Sequence, residues 1–325
     1  MTPAKFYRLL AYLGILSVAI ALINRFAQED RSDESYPGKS ITIIVPFKPG
    51  GGSDRIARAV NAFAEDEFGR EFIFQYKTGG GGNLGVGYLA KSRADGYSIA
   101  TYNTPDLALG PLTGAAKYTL SDLSVIGRIA FDPNVFAARV DSPFEDMKAF
   151  LDSAKRNPGK LRLGIAQPKG GTHLATLAML HQESVDVSVV LFAGGSELAT
   201  AVLGGQVDAG ISGIAPFLGS IDRVKFLATA GQDTHPKLPE TKTMNQLGIP
   251  MNSGTGRAFL APAGISDSQL TRLREGFRSI SANESFKAEM LKIGNEPAWT
   301  DGEIIEEELA AFSEQAGLMI EKYGL

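Results

Sequence analysis

The sequence predicts an α/β fold with two lobes, mainly parallel sheets and a cleft between the lobes. Apolar strands alternate with segments of helical period, and most of these strands are followed by a loop that contains glycine. Strands that alternate with helices form parallel sheets with helices on both faces. The chain has 325 residues, of which 44% are hydrophobic, and this is enough for two separate cores.

The N-terminal segment has the pattern of an export signal. Leu9–Ile23 carries no charge and follows Lys5 and Arg8, which is the order of a secretory n-region and h-region. The apolar stretch is shorter than the about 20 residues that a membrane span needs. We expect residues 1–27 to be a cleaved signal peptide or, as the alternative, an uncleaved N-terminal anchor. The polar residues 28–35 then form a tether, and the remaining chain lies in the periplasm.

Charge and composition exclude several classes of partner. The net charge is −4, and the 29 basic and 36 acidic residues that follow position 27 give −7 for the exported part. An acidic globular part argues against nucleic acid as a partner. The chain has no cysteine, so it can form neither a disulfide nor a thiolate metal site. We expect a monomer without a cofactor.

The first strand–loop–helix unit carries the clearest functional signal. Ile41–Asp54 reads ITIIVPFKPGGGSD, in which a β-branched run breaks at Pro46 and three glycines precede an apolar-periodic helix over Asp54–Phe68. Glycine lets the backbone approach a ligand closely, and the first amides of a helix attract an anion. The loop is therefore predicted to hold an anion, although a plain glycine-rich turn would have the same composition.

The same unit recurs along the chain. Further strand–helix pairs are predicted at Phe72–Gln75 with Asn83–Ser92, Leu161–Ala166 with Thr172–His181, and Val187–Phe192 with Ser196–Leu203, and Tyr97–Asn103 is a further strand. The last quarter predicts helices at Ser266–Ser281, Glu284–Ile293 and Gly302–Lys322, which brace the first lobe, with Asp267, Glu284 and Asp301 as caps or first-turn acids.

Two polar turn clusters predict where the chain crosses between the lobes. They flank Val135–Val140 and the region of Ile249–Leu260. The first lobe is therefore predicted to comprise residues 36–138 and 251–325, and the second lobe residues 139–250.

Six ordered motifs carry a family resemblance. They are VPFKPGGGSD followed by Arg58, KTGGGGNLG at Lys77–Gly85, DGYSI at Asp95–Ile99, GGTHL at Gly170–Leu174, VLGGQVD at Val202–Asp208 and LAPAG at Leu260–Gly264. In this order they resemble the extracytoplasmic solute receptors of tripartite tricarboxylate transporters, the Bug family. The resemblance implies a type II periplasmic-binding-protein fold that closes around a dicarboxylate, tricarboxylate or aromatic carboxylate and delivers it to membrane transporter subunits. The alternative is a sensory receptor of the same fold that signals through a membrane kinase.

The resemblance also implies which residues bind the ligand. In the first lobe they are Phe47, Lys48, Gly50, Gly51, Gly52, Ser53, Asp54, Gly80, Gly81, Gly82, Asn83, Thr101, Asn103 and Thr104. In the second lobe they are Gln167, Gly171, Thr172, His173, Gly194, Gly195, Ser196 and Ser212.

Departures from the family pattern bear on the ligand. Ser212 stands where the family often has an aspartate that receives a ligand ammonium, so no counter-charge is evident and amino acids are disfavoured. Lys48, Lys169 and Arg257 lie in or near the predicted site loops. One hypothesis is that at least one of these cations faces the cleft and favours ligands with two or more carboxylates; the interpretation that the sequence favours is that they are solvated loop charges.

Several polar residues near the motifs have structural interpretations. Asp54 and Arg58 are four residues apart on one helix, which favours an ion pair. Thr172 is predicted to cap a helix N-terminus, His173 to pack in the same capping turn, and Asp208 to fix a turn.

No known catalytic pattern is present. The three histidines, His173, His181 and His235, have no metal-binding spacing, and the chain lacks both a cysteine nucleophile and a G-x-S-x-G motif. The glycine loops lack the GK[ST] ending of a phosphate-binding loop. We therefore expect a binding protein and not an enzyme.

Overall fold

The computed structural model describes residues 36–166, 168–293 and 295–324. The predicted signal peptide, the tether and Gln167 lie outside these residues. Within them, no helix combines the length and the apolar character that crossing a bilayer requires.

Ten strands form in the described residues. They are β1 (Thr42–Val45), β2 (Ile73–Tyr76), β3 (Ser98–Thr104), β4 (Leu123–Arg139), β5 (Arg162–Ala166), β6 (Ser188–Phe192), β7 (Ala209–Gly213), β8 (Val224–Thr229), β9 (Gly254–Pro262) and β10 (Pro297–Asp301).

Ten α-helices accompany them in the same part of the chain. They are α1 (Gly52–Asn61), α2 (Ala64–Phe68), α3 (Asn83–Ala90), α4 (Asp106–Leu112), α5 (Met147–Arg156), α6 (Gly171–Gln182), α7 (Gly195–Leu203), α8 (Asp267–Ala282), α9 (Glu284–Lys292) and α10 (Gly302–Tyr323). Short 3₁₀ turns lie at Gly80–Gly82, Leu120–Asp122, Ala215–Arg223 and Asn245–Leu247.

One long strand joins two sheets. The first sheet has the order β2-β1-β3-β9-β4-β10, and the second has the order β8-β4-β7-β5-β6. In β4, Pro133 still pairs with Gly254 of β9, whereas Asn134 pairs with Gly213 of β7. The chain thus leaves the first sheet at residues 133–134, just before the predicted crossing. It returns at residues 253–254, inside the second predicted crossing.

The pairing in each sheet changes from parallel at one edge, formed by β2 or β6, to antiparallel around β4. β1 pairs in parallel with β2 and β3, and β5 pairs in parallel with β6 and β7. The central strands β3, β9 and β4 pair antiparallel. The sequence reading identified the outer units but did not anticipate this antiparallel centre.

Each sheet is covered on both faces. We call the first sheet with α1–α4 and α8–α10 the first lobe, and the second sheet with α5–α7 the second lobe. In the first lobe, Val60 of α1 and Phe277 of α8 pack on one face, and Leu89 of α3 packs on the other. In the second lobe, Phe150 of α5 and Leu198 of α7 pack on opposite faces. The residue bounds predicted for the lobes stay a prediction.

The last helix contacts both lobes. Leu309 of α10 packs in the first lobe, as predicted. Further along α10, Ala316 and Met319 pack against Leu174 and Leu177 of α6. The C-terminal helix therefore braces the first lobe against the second and not the first lobe alone.

Candidate functional site

The first glycine loop presents the N-terminus of α1. The amide of Gly51 donates to the carbonyl of Lys48 at 3.1 Å, and the amide of Gly50 donates to Asp54 at 2.7 Å. Gly50 has a φ of +80°, which a side chain would strain. The next amides, those of Gly52 and Ser53, belong to the first turn of α1, where amides have no acceptor within the helix. These are the donors that the loop can offer to an anion.

The Asp54 carboxylate is part of the scaffold. It is buried and accepts hydrogen bonds from the Gly50 amide at 2.7 Å, the Tyr76 hydroxyl at 2.7 Å and Arg58 Nε at 3.1 Å. The predicted ion pair between Asp54 and Arg58 is confirmed. Burial alone would raise the pKa of Asp54, but these three donors and the Arg58 charge hold the pKa below its usual value. The side chain therefore shapes the loop, and its ligand-binding assignment is not supported by its contacts.

The Asp54→Asn substitution is expected to destabilise the protein at neutral pH by about 1–3 kcal/mol, because a buried charge-assisted network is lost. A lowered pKa in the folded state means that this stabilisation is present above the unfolded pKa of about 3.9 and is lost as the pH falls through the folded value. Urea unfolding at neutral and acid pH measures this. The exposed Asp66→Asn is the control; an equal free energy of unfolding for both variants at neutral pH would contradict the assignment.

The second glycine loop lies against the first. Gly79–Gly82 all have positive φ, and a Cβ at Gly82 would stand 2.4 Å from the Tyr102 ring and 3.0 Å from the Phe47 ring. Phe47 stacks on Tyr102 with ring centroids 5.8 Å apart, and Tyr102 donates its hydroxyl to the Gly81 carbonyl at 2.9 Å. The structure therefore brings both loops together. The Asn83 side chain instead accepts from the Tyr118 hydroxyl at 3.0 Å, within the first lobe.

Arg257 is the cation at this end of the first lobe. It lies on β9 opposite Asn103 of β3 and donates from Nη1 to Asn103 Oδ1. A Cβ at Gly52 would stand 3.4 Å from Arg257 Nη2, so the guanidinium lies beside the first turn of α1. In the described residues no carboxylate comes within 4 Å of it to form an ion pair. Burial lowers the pKa of Arg257, although a guanidinium stays charged.

A contact between the lobes closes one side of this region. The Gly171 amide at the start of α6 donates to Asp106 of α4 at 3.4 Å, and a Cβ at Gly171 would stand 2.8 Å from Cγ of Pro105. Burial raises the pKa of Asp106, which the Gly171 amide and the Arg257 charge partly oppose. The N-terminus of α6 therefore faces a carboxylate of the protein itself.

Thr172 and His173, which follow Gly171, both have structural contacts. Gly170 and not Thr172 is the cap of α6, so the N-cap prediction is wrong. The Thr172 hydroxyl instead accepts from Nδ2 of Asn134 at 2.9 Å, at the crossing between the sheets. His173 is buried, and its Nδ1 accepts from the Lys169 amide at 3.1 Å. The prediction of a packed capping-turn histidine is confirmed.

Asp208 joins two strands and does not merely fix its own turn. Its carboxylate accepts from the Arg162 amide at 2.7 Å and pairs with the Arg162 guanidinium at 3.1 Å. These bonds attach the start of β5 to the segment before β7.

The end of β7 approaches the start of α7. A Cβ at Gly195 would stand 3.5 Å from Ser212 Oγ, and one at Gly213 would stand 3.2 Å from Oδ2 of Asp132. The Asp132 carboxylate thus lies next to the position where the family aspartate is replaced by serine. Asp132 and Asp106 thus bring carboxylates from β4 and α4 near this region, where the charge of Arg257 interacts with both. The expectation that Ser212 leaves no counter-charge for a ligand ammonium stays a prediction.

The contacts of Gly50, Gly51, Asp54, Asn83, Thr172 and His173 are described above, and the other predicted residues divide into three groups. Gly52, Gly81, Gly82, Gly171 and Gly195, with Phe47, Asn103 and Ser212, have the contacts given above. That Ser53, Gly80, Gly194 and Ser196 face the same region stays a prediction. Thr101 is fully buried, and Thr104 lies on the opposite face of β3 from Asn103, since successive strand residues alternate. Lys48 and Lys169 are exposed, and Gln167 lies outside the described residues.

Sequence reasoning missed the acidic residues of this region. Asp132 precedes Pro133, a dipeptide that usually marks a turn, but here it continues a 17-residue strand. Asp106 follows Pro105 at the start of a short helix that has no clear apolar period. Among the described residues, no cluster of three or more histidine or carboxylate side chains could hold a metal ion. The amides at the start of α1 and the Arg257 guanidinium are suited to holding a small anion.

Comparison with known proteins agrees with this geometry. Residues 56–325 match the tripartite tricarboxylate transporter family receptor. The UPF0065 protein in the tcbD-tcbE intergenic region of Pseudomonas sp. (strain P51) is 27% identical over 96% of this chain and 94% of its own length. Protein BugT of Bordetella pertussis is 28% identical over 87% of this chain and 88% of its own.

A solved structure shares the fold. The ligand-free crystal structure of a TctC solute binding protein from Polaromonas has a TM-score of 0.82 at 26% identity. The match covers 88% of this chain and 99% of that chain. The motif-based resemblance and the predicted two-lobed α/β fold are confirmed.

Proposed function

Because the chain belongs to the tripartite tricarboxylate transporter family of receptors, we propose that it captures a small organic carboxylate between its lobes and delivers it to integral membrane subunits of such a transporter. The family assignment also makes the chain a solute-binding receptor and not an enzyme, as expected. We propose that it acts in the periplasm, as a monomer, with a dicarboxylate, tricarboxylate or aromatic carboxylate as its ligand.

The observation that carries the proposal is Arg257 beside the first turn of α1. The half-buried Arg257 guanidinium hydrogen-bonds to the neutral Asn103, and burial outweighs the attraction of the Asp132 and Asp106 charges, so its charge is only partly compensated. The helix N-terminus adds partial positive charge at the same place. A ligand carboxylate would satisfy both. We place one carboxylate of the ligand between Arg257 and the amides of Gly52 and Ser53.

The energies are sufficient for a useful affinity. The exported part is net negative, so local donors and not long-range attraction have to hold an anion. Charge-assisted hydrogen bonds contribute about 1.5–3 kcal/mol each. Three or four of them, less the cost of ordering the ligand, give the about −8 kcal/mol of micromolar binding.

A thermal-shift panel of organic acids tests the proposal. A ligand at about 100 times its Kd stabilises the folded state by about 2.7 kcal/mol, so succinate, citrate or benzoate should raise the melting temperature if it is the cognate class. Succinamide, which has the shape of succinate without its charge, is the matched control. A panel that never changes the melting temperature, or changes it equally for acid and amide, would overturn carboxylate capture.

Delivery to a transporter needs its own measurement. Uptake of the identified acid by membrane vesicles that contain the transporter subunits should depend on added receptor. If the protein binds the acid but uptake does not depend on added receptor, the proposed delivery to a transporter is wrong, whereas the proposed carboxylate binding is unaffected.

A further inference from the structure

A cavity lies behind the strands that join the lobes. Its volume is about 330 Å³, within the range of small-molecule sites. We call it the hinge cavity. It is open to solvent on one side and is bordered by β3, β4 and the segment before β9, by α6 and by α10. Thr104 lines it, whereas Asn103 and Arg257 lie on the opposite face of the same strands.

Two buried polar atoms at the hinge cavity have no partner in the described residues. They are Oγ1 of Thr104, which is 4% exposed, and Nε of Arg128, which is 5% exposed. Both side chains line the cavity and meet over Gly256, where a Cβ would stand 2.1 Å from Thr104 Oγ1 and 2.5 Å from Arg128 Cδ. Buried polar atoms are normally hydrogen-bonded, so two adjacent exceptions beside an open volume point to an acceptor that a ligand supplies.

The charge of the lining favours an uncharged ligand. Arg128 Nη1 already pairs with Glu308 Oε2 at 2.7 Å, and its Nη2 donates to Thr300 at 3.1 Å. No other charged side chain lines the cavity. A net charge placed here would be buried without compensation, which is costly.

The remaining lining is amphipathic. One part is apolar and includes Met179, Met251, Leu309 and Phe312. Primary amides supply most of the other part, at Gln182, Gln232, Asn245, Asn252 and Gln315. A ring or short aliphatic body fits the first part, and a carbonyl or hydroxyl oxygen fits the Arg128 Nε–H and the Thr104 hydroxyl.

We propose that the hinge cavity is a second ligand site, which takes an uncharged amphipathic molecule and responds to the arrangement of the two lobes. Met179 packs in the core of the second lobe and Leu309 in that of the first. A molecule seated between them binds different lobe arrangements unequally, and its binding is therefore coupled to that of a ligand in the front cleft. Only this coupling rests on the proposed function; the site itself does not.

Benzamide, an uncharged ring with a carboxamide, is the probe for the site. In protein with ¹³C-labelled methionine methyl groups, benzamide should shift the signals of Met179 and Met251 in a saturable way. Met290, in the core of the first lobe away from the cavity, is the internal reference and should not move. Methionine signals that do not respond, or that respond without saturation, would overturn the site.

Substitutions in the cavity lining test whether benzamide binds in the hinge cavity. Ala311 lines the cavity from the exposed face of α10, and its neighbour Ala310 is exposed but does not line it. We expect Ala311→Phe to abolish the benzamide shifts and Ala310→Phe to keep them. Thr104→Val, which keeps the side-chain shape and removes the hydroxyl, should weaken benzamide by about fivefold through loss of one hydrogen bond. Equal affinity of wild type, Ala311→Phe and Thr104→Val would contradict the proposal.

The coupling has a separate readout. The affinity of a carboxylate found in the thermal-shift panel should change when benzamide saturates the cavity, and the change should vanish in Ala311→Phe. An unchanged carboxylate affinity would overturn the coupling and leave the site standing. Absence of any carboxylate ligand would overturn the proposed function, and the methionine shifts would still report on the cavity.

Discussion

Arg257→Gln is expected to weaken binding of the cognate carboxylate by about 10- to 150-fold, which is the loss of one charge-assisted interaction of about 1.5–3 kcal/mol. Glutamine can still hydrogen-bond to Asn103, so the local geometry of β9 and β3 is kept. Titration calorimetry with the acid identified by thermal shift measures the effect. Lys48→Gln is the matched control, because Lys48 is an exposed loop cation and is not part of the proposed site at Arg257, Gly52 and Ser53. We expect this control to change the affinity by less than about twofold.

The same variant separates a binding role from a folding role. Arg257 is half-buried, and burial outweighs the attraction of the Asp132 and Asp106 charges, so its charge costs free energy in the unliganded protein. Arg257→Gln should therefore leave the melting temperature of the unliganded protein unchanged or raise it, while it lowers affinity. A lower melting temperature with unchanged affinity would show that Arg257 is structural and would remove it from the site.

The outer strand–loop–helix units could be predicted from the sequence because their signals are local. The helices predicted to begin at Asn83, Thr172 and Ser196 begin at Asn83, Gly171 and Gly195. Glycine clusters end the preceding strands, and apolar spacing of helical period follows. Such signals require no knowledge of distant residues.

The centre of the fold could not be predicted in the same way. β4 contains Asp132-Pro133 and reads as two strands with a turn, yet both residues pair with β9 at Thr255 and Gly254. Proline is accepted because the strand changes from one sheet to the other at this point, and Asn134 already pairs with β7. Which strands meet there depends on pairs of residues 79 and 121 positions apart, Asn134 with Gly213 and Pro133 with Gly254, and local sequence periodicity carries no information on such pairs.

The candidate site likewise has residues that local motifs identify and residues whose place depends on the fold. The glycine loops and Ser212 could be found from motifs, but which groups compensate one another depends on the fold. Asp132 approaches Gly213, and Asp106 approaches Gly171, only because the crossing strands bring them there. The sequence named Arg257 as one of three cations, and its place beside Gly52 is what separates it from the exposed Lys48 and Lys169.

Gly171→Val tests whether binding needs the two lobes together. A Cβ at this position would stand 2.8 Å from Pro105 Cγ and 3.4 Å from Asp106 Oδ1, on the other lobe. Overpacking of this kind costs about 1–3 kcal/mol, and the cost arises only while the lobes are in contact. We expect the fraction of binding-competent protein, and therefore the carboxylate affinity, to fall by about 5- to 150-fold.

Calorimetry and small-angle X-ray scattering together decide the interpretation. The valine variant should have a larger radius of gyration than wild type in the presence of the acid, whereas Gly317→Val on α10, where a Cβ meets no atom within 4 Å, should behave as wild type. Because the chain has no cysteine, two introduced cysteines can also carry labels that report the distance between lobes. An unchanged affinity together with an unchanged radius would mean that Pro105 and α6 separate without cost. Capture would then depend on the first lobe alone, through α1 and Arg257, and closure would serve only recognition by a partner.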